Sequence, residues 1–285
     1  MKSIVLPAAA LALAASAFPS PEARAENLVQ YWADGVSTEG GWLDGLQYPN
    51  HCWAACCSNM LAWWQDRLAE KYVLPAGVPR TNEELKAWYY TNYGSIQGGQ
   101  LPAYGLMWYF GQYYPNLKTD RFDPMASPYY QNYVQSNADE ITTSLVANFS
   151  TGKTLAALSS TSHAVTLWGI EYDSDSGKIT RGWITDSDPT QGDTAALEVA
   201  TAVYDANGNF SFQCMVYNPE TGATNVAGAH DIYEICYINY DDGHLLDAYG
   251  TPAFTAIPEP SAFGLLAGTL ALALAGTRRR RRKKA

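Results

Sequence analysis

The sequence predicts an α+β fold, a helical first half followed by an antiparallel sheet. Three observations lead there. Apolar residues recur at 3–4 spacing in the segments before Gly152. After it come short runs of β-branched and aromatic residues divided by turn clusters. No repeat or low-complexity linker separates the halves, so the 285 residues hold one large domain or two small ones.

The elements follow in order. Met1 to Ala25 carries Lys2, the apolar run IVLPAAALALAASAF and the small-residue close Ala23-Arg24-Ala25. That pattern predicts a secretory signal peptide cleaved after Ala25; the alternative is a buried N-terminal helix. The first helix is announced by Pro49 and Asn50 and carries an apolar stripe of Trp53, Cys56, Cys57, Met60, Leu61, Trp64 and Leu68. TNEELKAWYYTNYG opens with a Thr81-to-Glu84 capping box and stops at Gly94. PAYGLMWYFGQYY and NADEITTSLVANFSTG read as the third and fourth helices. KTLAALSS, HAVTLWGIEYD, KITRGWITD, ALEVATAVYD, FSFQCMVYN and DIYEICYINYD then read as strands, with Asn207-Gly208 a hairpin turn.

The C-terminus is tripartite: IPEPS at Ile257–Ser261, the uncharged stretch 262–277, and five arginines and two lysines at 278–284. That stretch is short but usable as a transmembrane segment, and the basic end would stay cytoplasmic. Pro-Glu-Pro, apolar helix and arginine-rich end together resemble the PEP-CTERM sorting signal of Gram-negative bacteria. The resemblance implies export and processing by an exosortase-type enzyme; an ordinary tail anchor is the alternative. The expected organisation is signal peptide 1–25, domain 26–256 and sorting tail 257–285. Contact with the membrane is expected only through the tail.

Nine of the 18 basic residues but only two of the 28 acidic ones lie in those ends. The domain therefore holds nine basic against 26 acidic residues, near −17, which argues against nucleic acid or anionic lipid as a partner. Solubility outside the cell accounts for such a charge without any partner. Five cysteines, Cys52, Cys56, Cys57, Cys214 and Cys236, are an odd number for an exported domain and leave at least one free thiol.

Cys56 and Cys57 fall on the apolar stripe and read as small core residues. Cys52 stands at the helix start, where unpaired N–H groups and the positive end of the helix dipole favour a thiolate. A thiolate needs a base. Of His51, His163, His230 and His244, His51 adjoins Cys52 and would point away from it. His163 opens a strand. The hairpin formed with the next strand, which ends in Asp186 and Asp188, returns Asp186 beside His163. Cysteine, histidine and aspartate in that arrangement form a triad for nucleophilic catalysis. Asp173, Asp175, Asp186, Asp188 and Asp193 lack the glycine and terminal glutamate of an EF-hand and read as turn residues. A zinc site of His51, Cys52, Cys56 and Cys57 is disfavoured because adjacent helix positions do not converge. Gly98-Gly99 could line a cleft, with a plain turn as the simpler reading.

CWAACCSNMLAWW and SHAVTLWGIEYDSDSGKITRGWITDSD resemble the secreted immunoglobulin-degrading cysteine endopeptidases of the IdeS/Mac family. The shared positions are Cys52, Ala54, Ala55, Asn59 to Leu61, Trp63 and Trp64; His163 and Leu167 to Gly169; and Thr185 to Asp188. Weaker similarity includes YWADGV at 31–36 and GWLD at 41–44. The resemblance implies a papain-like fold, with a helical N-terminal lobe and an antiparallel sheet or barrel in the C-terminal lobe. It also implies Cys52 as nucleophile, His163 as base and Asp186 as orienting acid, with Asp188 supporting them from behind. Where that family places an oxyanion lysine this chain has Gln47, as papain-like proteases do near this spacing. Its amide would join the Cys52 backbone N–H at the oxyanion. The function implied is an exported cysteine endopeptidase needing no metal or organic cofactor. Its substrate is a protein, with immunoglobulin one candidate. A catalytically inactive binding module and a transglutaminase-like acyl transferase are the alternatives.

Overall fold

The computed structural model describes residues 27–44, 47–96, 100–115, 117, 130–134, 138–160, 163–188, 196–205, 210–218, 223–232, 234–240 and 254–257. The signal peptide, the sorting tail beyond Ile257, Gly98-Gly99, Asp193, Asn207-Gly208 and His244 lie outside them. In chain order the elements are β1 (Leu28–Trp32), α1 (Cys52–Ala69), β2 (Tyr72–Val73), α2 (Asn82–Tyr93), α3 (Pro102–Tyr113), β3 (Tyr130–Val134), α4 (Ala138–Phe149), β4 (Thr154–Ser159), β5 (Ala164–Asp173), β6 (Lys178–Thr185), β7 (Glu198–Tyr204), β8 (Phe210–Asn218), β9 (Ala223–Asp231), β10 (Glu234–Asn239) and β11 (Thr255–Ala256). This is the mixed α+β architecture that the hydrophobic pattern implies.

A single antiparallel sheet runs in the order β3-β10-β4-β5-β6-β7-β8-β9, and β2 with β11 forms a small second one. β5 is the hub. Its first half pairs with β4, its second half with β1, and its other side with β6. The switch of partner occurs at a bulge: Leu167 faces Ile184 and Gly169 faces Trp183, leaving Trp168 as the extra residue. A Cβ on Gly169 would lie 2.8 Å from the Trp32 ring, so glycine is what lets β1 approach.

Two cores flank the sheet. Leu155 and Ala157 of β4, Ala164 and Trp168 of β5, and Cys236 and Ile238 of β10 pack on the α1 side. The alternate residues Ala156, Leu158, Val165, Leu167, Ile235 and Tyr237 pack on the α4 side. Here the structure corrects a simple division into a helical lobe and a sheet lobe. α1 to α3 form one layer, whereas α4 lies against the opposite face. All six residues of β4 are buried, so both faces of the sheet need cover, and one helical layer supplies only one.

α1 departs from the expected stripe in the same direction. Every residue from Cys52 to Gln65 is buried, because the helix is wedged between the sheet and α2 and α3. Ser58 and Gln65 are satisfied internally. Ser58 Oγ donates to the Ala54 carbonyl (2.7 Å), and Gln65 Nε2 donates to Pro79 O (3.0 Å) while its Oε1 accepts from Tyr114 (3.0 Å). α2 opens with the capping box of Thr81 and Glu84, and Pro102 begins α3. A Cβ at Gly105 would come within 2.5 Å of Cys57 Sγ, so this glycine sets the close approach of α3 to α1. Among the described residues no helix is long and apolar enough to cross a membrane.

Candidate active site

Cys52 is the first residue of α1. His51 before it contributes no capping side chain, and the first turn holds no acidic residue, so neither masks the positive helix end. One turn deeper, burial pushes the Cys56 and Cys57 thiols well up, with the nearby Cys52 adding to both shifts; hydrogen bonds to each only partly offset them. They are core thiols, and Cys57 Sγ donates to Pro102 O at 3.1 Å. Cys52, Cys56, Cys57 and Cys236 are all free.

The β5–β6 hairpin brings the two other triad candidates together. Thr166 faces Thr185, so the residue before β5 and the residue after β6 meet at one end of the sheet. A turn in which His163 N–H donates to Ser160 Oγ (3.1 Å) and Ser160 N–H to His163 O (2.8 Å) fixes His163. Its Nε2 lies 2.7 Å from Asp186 Oδ1. Cys52 acts on the same ring electrostatically. Burial works against a charged imidazole here, but the hydrogen bond to Asp186 and the negative charges of Asp186 and Cys52 outweigh it and push His163 up to about 10.

Asp188 contributes through its backbone: its N–H donates to the same Asp186 Oδ1 at 3.0 Å and so helps fix the carboxylate. Gln47 sits beside the site on the loop before α1. Its backbone N–H donates to Ser187 O (3.0 Å), and its Oε1 accepts from Ser187 Oγ (3.3 Å). With the amide oxygen held, the NH2 end is the one left to donate. His51 does not pair with the site. Its Nδ1 lies 2.7 Å from Pro49 O and its ring stands edge-on to Tyr90.

Several residues bear on the site in ways the sequence alone did not reveal. Asn59 on α1 donates to Thr166 Oγ1 at 2.9 Å and accepts from Asn82 at 2.6 Å. Thr185 accepts from Trp168 Nε1 (2.9 Å) and donates to Leu43 O (3.1 Å). Three positions of the recognised motifs thus join α1, β5, β6 and the loop before α1. Asp44, in the GWLD stretch, accepts from the Ala196 backbone N–H at 3.1 Å. Burial raises its carboxyl to about 6; the Ala196 hydrogen bond opposes this, Asp186 and Glu198 add to it, and Lys86 opposes it. The motif matches marked these positions, but only the fold shows their partners. The turn aspartate Asp173 accepts from Asp175 N–H (3.0 Å) and Ser176 Oγ (2.8 Å), capping its own turn. Among the described residues no group of three or more His, Cys, Asp or Glu is arranged to hold a metal ion.

A thiol at a helix start, acting on an imidazole that is bonded to a carboxylate, is competent for thiol-based acyl transfer. Comparison with known families agrees at a coarse level. The family model described as Mac 1 matches residues 111–235, a stretch that holds His163 and Asp186 and begins after Cys52. The chain is similar to that family there, which is consistent with a protease-like enzyme. No curated protein matches it significantly.

Proposed function

We propose that the chain is an exported cysteine endopeptidase of IdeS/Mac-like type on a papain-like scaffold. The observation that carries this reading is the His163 ring held 2.7 Å from Asp186, with Cys52 at the start of α1 acting electrostatically on the same ring. Cys52 Sγ, as a thiolate beside protonated His163, attacks the peptide carbonyl carbon and forms a C–S bond. The Gln47 amide and the Cys52 backbone N–H hold the resulting oxyanion. Collapse breaks the C–N bond, and the His163 proton passes to the departing amine. His163 then takes a proton from water, which attacks the thioester and releases acid and thiol. Asp186 keeps the ring oriented and its charge stabilised, and Asp188 steadies Asp186. The signal peptide exports the chain, an exosortase-type enzyme processes the tail, and the substrates are proteins, immunoglobulin being one candidate.

Cys52→Ala tests the assignment. Peptide hydrolysis should fall by ~10⁴-fold or more, while the melting temperature is retained. Cleavage at the wild-type rate would overturn the reading. Adding a primary amine separates hydrolysis from acyl transfer: cross-linked amide in place of new carboxyl termini would favour a transglutaminase-like reaction.

A further inference from the structure

Beside Gln47 and the residue before the proposed nucleophile lies an aromatic surface that the reaction steps do not use. Tyr48 directly follows Gln47, and Tyr90 on α2 stands edge-on to His51, the residue before Cys52, with centroids 5.8 Å apart. The two tyrosine rings stack at 4.4 Å and 29°, yet they remain 40% and 50% exposed. Gln47, Tyr48, His51, Lys86 and Tyr90 line one cleft with the first turn of α1. An exposed stack of two large rings that shares a cleft with Gln47, the proposed oxyanion donor, presents apolar area to a chain lying across that residue.

We infer that Tyr48 and Tyr90 form a specificity-determining platform for a bulky apolar side chain of the substrate next to the scissile bond. This rests on the reading of Cys52 as nucleophile. The cleft below the rings is too narrow for a water molecule, so the side chain lies against the rings and does not enter beneath them. The fitting ligand is therefore an apolar side chain such as leucine or phenylalanine.

The test uses peptides identical except at the positions flanking the cleaved bond, which carry Ala, Leu, Phe or Lys in turn. Wild-type protein should favour Leu or Phe over Ala at one of these positions by about tenfold in kcat/KM. Tyr90→Ser should bring that ratio close to one, and Tyr90→Phe should keep it. Tyr48→Ser provides the same reading should Tyr90→Ser fail to fold. An unchanged ratio in the serine variants overturns the platform, as does a preference for Lys that those variants lose. Hydrolysis of all peptides alike overturns this inference only, whereas no hydrolysis of any peptide removes the nucleophile reading with it.

Discussion

The two faces of β5 and β6 are built from alternating residues of the same strands, yet they do different work. Toward α4 they present Val165, Leu167, Ile170, Ile179 and Ile184, an apolar set with no polar atom to satisfy. Toward α1 they present Thr166, Trp168 and Thr185, all buried and all hydrogen-bonded, two of them through or close to Asn59. A buried polar group left without a partner costs ~1–3 kcal/mol, so this second face is affordable only because its network closes. The strand ends extend it to His163 and Asp186. One face supplies burial and the other supplies position, and separate substitutions should reveal the two separately.

The largest effect is expected on the polar face. Asp186→Asn keeps a side chain of the same shape but removes the charge that holds His163 up against its burial. The imidazole should then lose its proton far more readily, and peptide hydrolysis near neutral pH should drop by ~10²–10⁴-fold. On the proposed mechanism the leaving amine needs protonated His163, so hydrolysis should persist into alkaline solution and fall as pH approaches about 10. The variant should lose that limb at a lower pH. Stability follows the same sign. With His163 raised from 6.5 to about 10, its contribution is complete below pH 6.5 and is lost between there and about 10. Melting temperatures of wild type should therefore decline across that window, and those of Asp186→Asn should decline less. Parallel curves for the two proteins would show that Asp186 does not hold the proton on His163.

On the apolar face the expectation inverts. Leu167 is fully buried in the α4 core. Leu167→Ala should cost ~2–5 kcal/mol, a fall of ~4–20 °C in melting temperature for a domain of this size. Turnover per folded molecule should stay close to wild type, measured by peptide hydrolysis well below the melting range. A stability loss below about 1 kcal/mol, or a large loss of turnover, would mean the two faces are not separable.

Much of this was legible in the sequence, and the omissions have physical reasons. The capping box, the proline start of α3 and the strand runs appear where local chemistry places them. The approach of His163 to Asp186 followed from hairpin register alone. β1 was missed because its five residues gain their pairing only from the half of β5 that β4 leaves open. β9, ATNVAGAHD, is weak in β propensity and owes its form to its long pairing with β8. The opposite placement of α4 was hidden because amphipathicity tells how wide a buried face is, not which surface it covers. For the site, residue type picked out Cys52 and its partners, whereas Asn59, Thr166 and Thr185 bond across more than a hundred residues with no period to reveal them. Ser187 belongs to the same class: it meets Gln47 over 140 residues of chain.

That contact sets up the smallest effect and the sharpest comparison within the polar face. Ser187 has two links to Gln47, a backbone carbonyl that accepts from the Gln47 N–H and a hydroxyl that donates to Oε1. Ser187→Ala keeps the first and removes the second, so the loop stays in place while the amide is freed to rotate. A neutral hydrogen bond of this kind contributes ~0.5–1.5 kcal/mol, which corresponds to a loss of ~2–12-fold in kcat. KM should hold, because the oxyanion forms only after the substrate is bound. Gln47→Ala removes the donor itself and should cost more, ~10²–10³-fold. If Ser187 acts by orienting that donor, adding Ser187→Ala to Gln47→Ala should change nothing further. An undiminished loss in the double variant would assign the hydroxyl to the packing around Asp186 and separate it from the oxyanion.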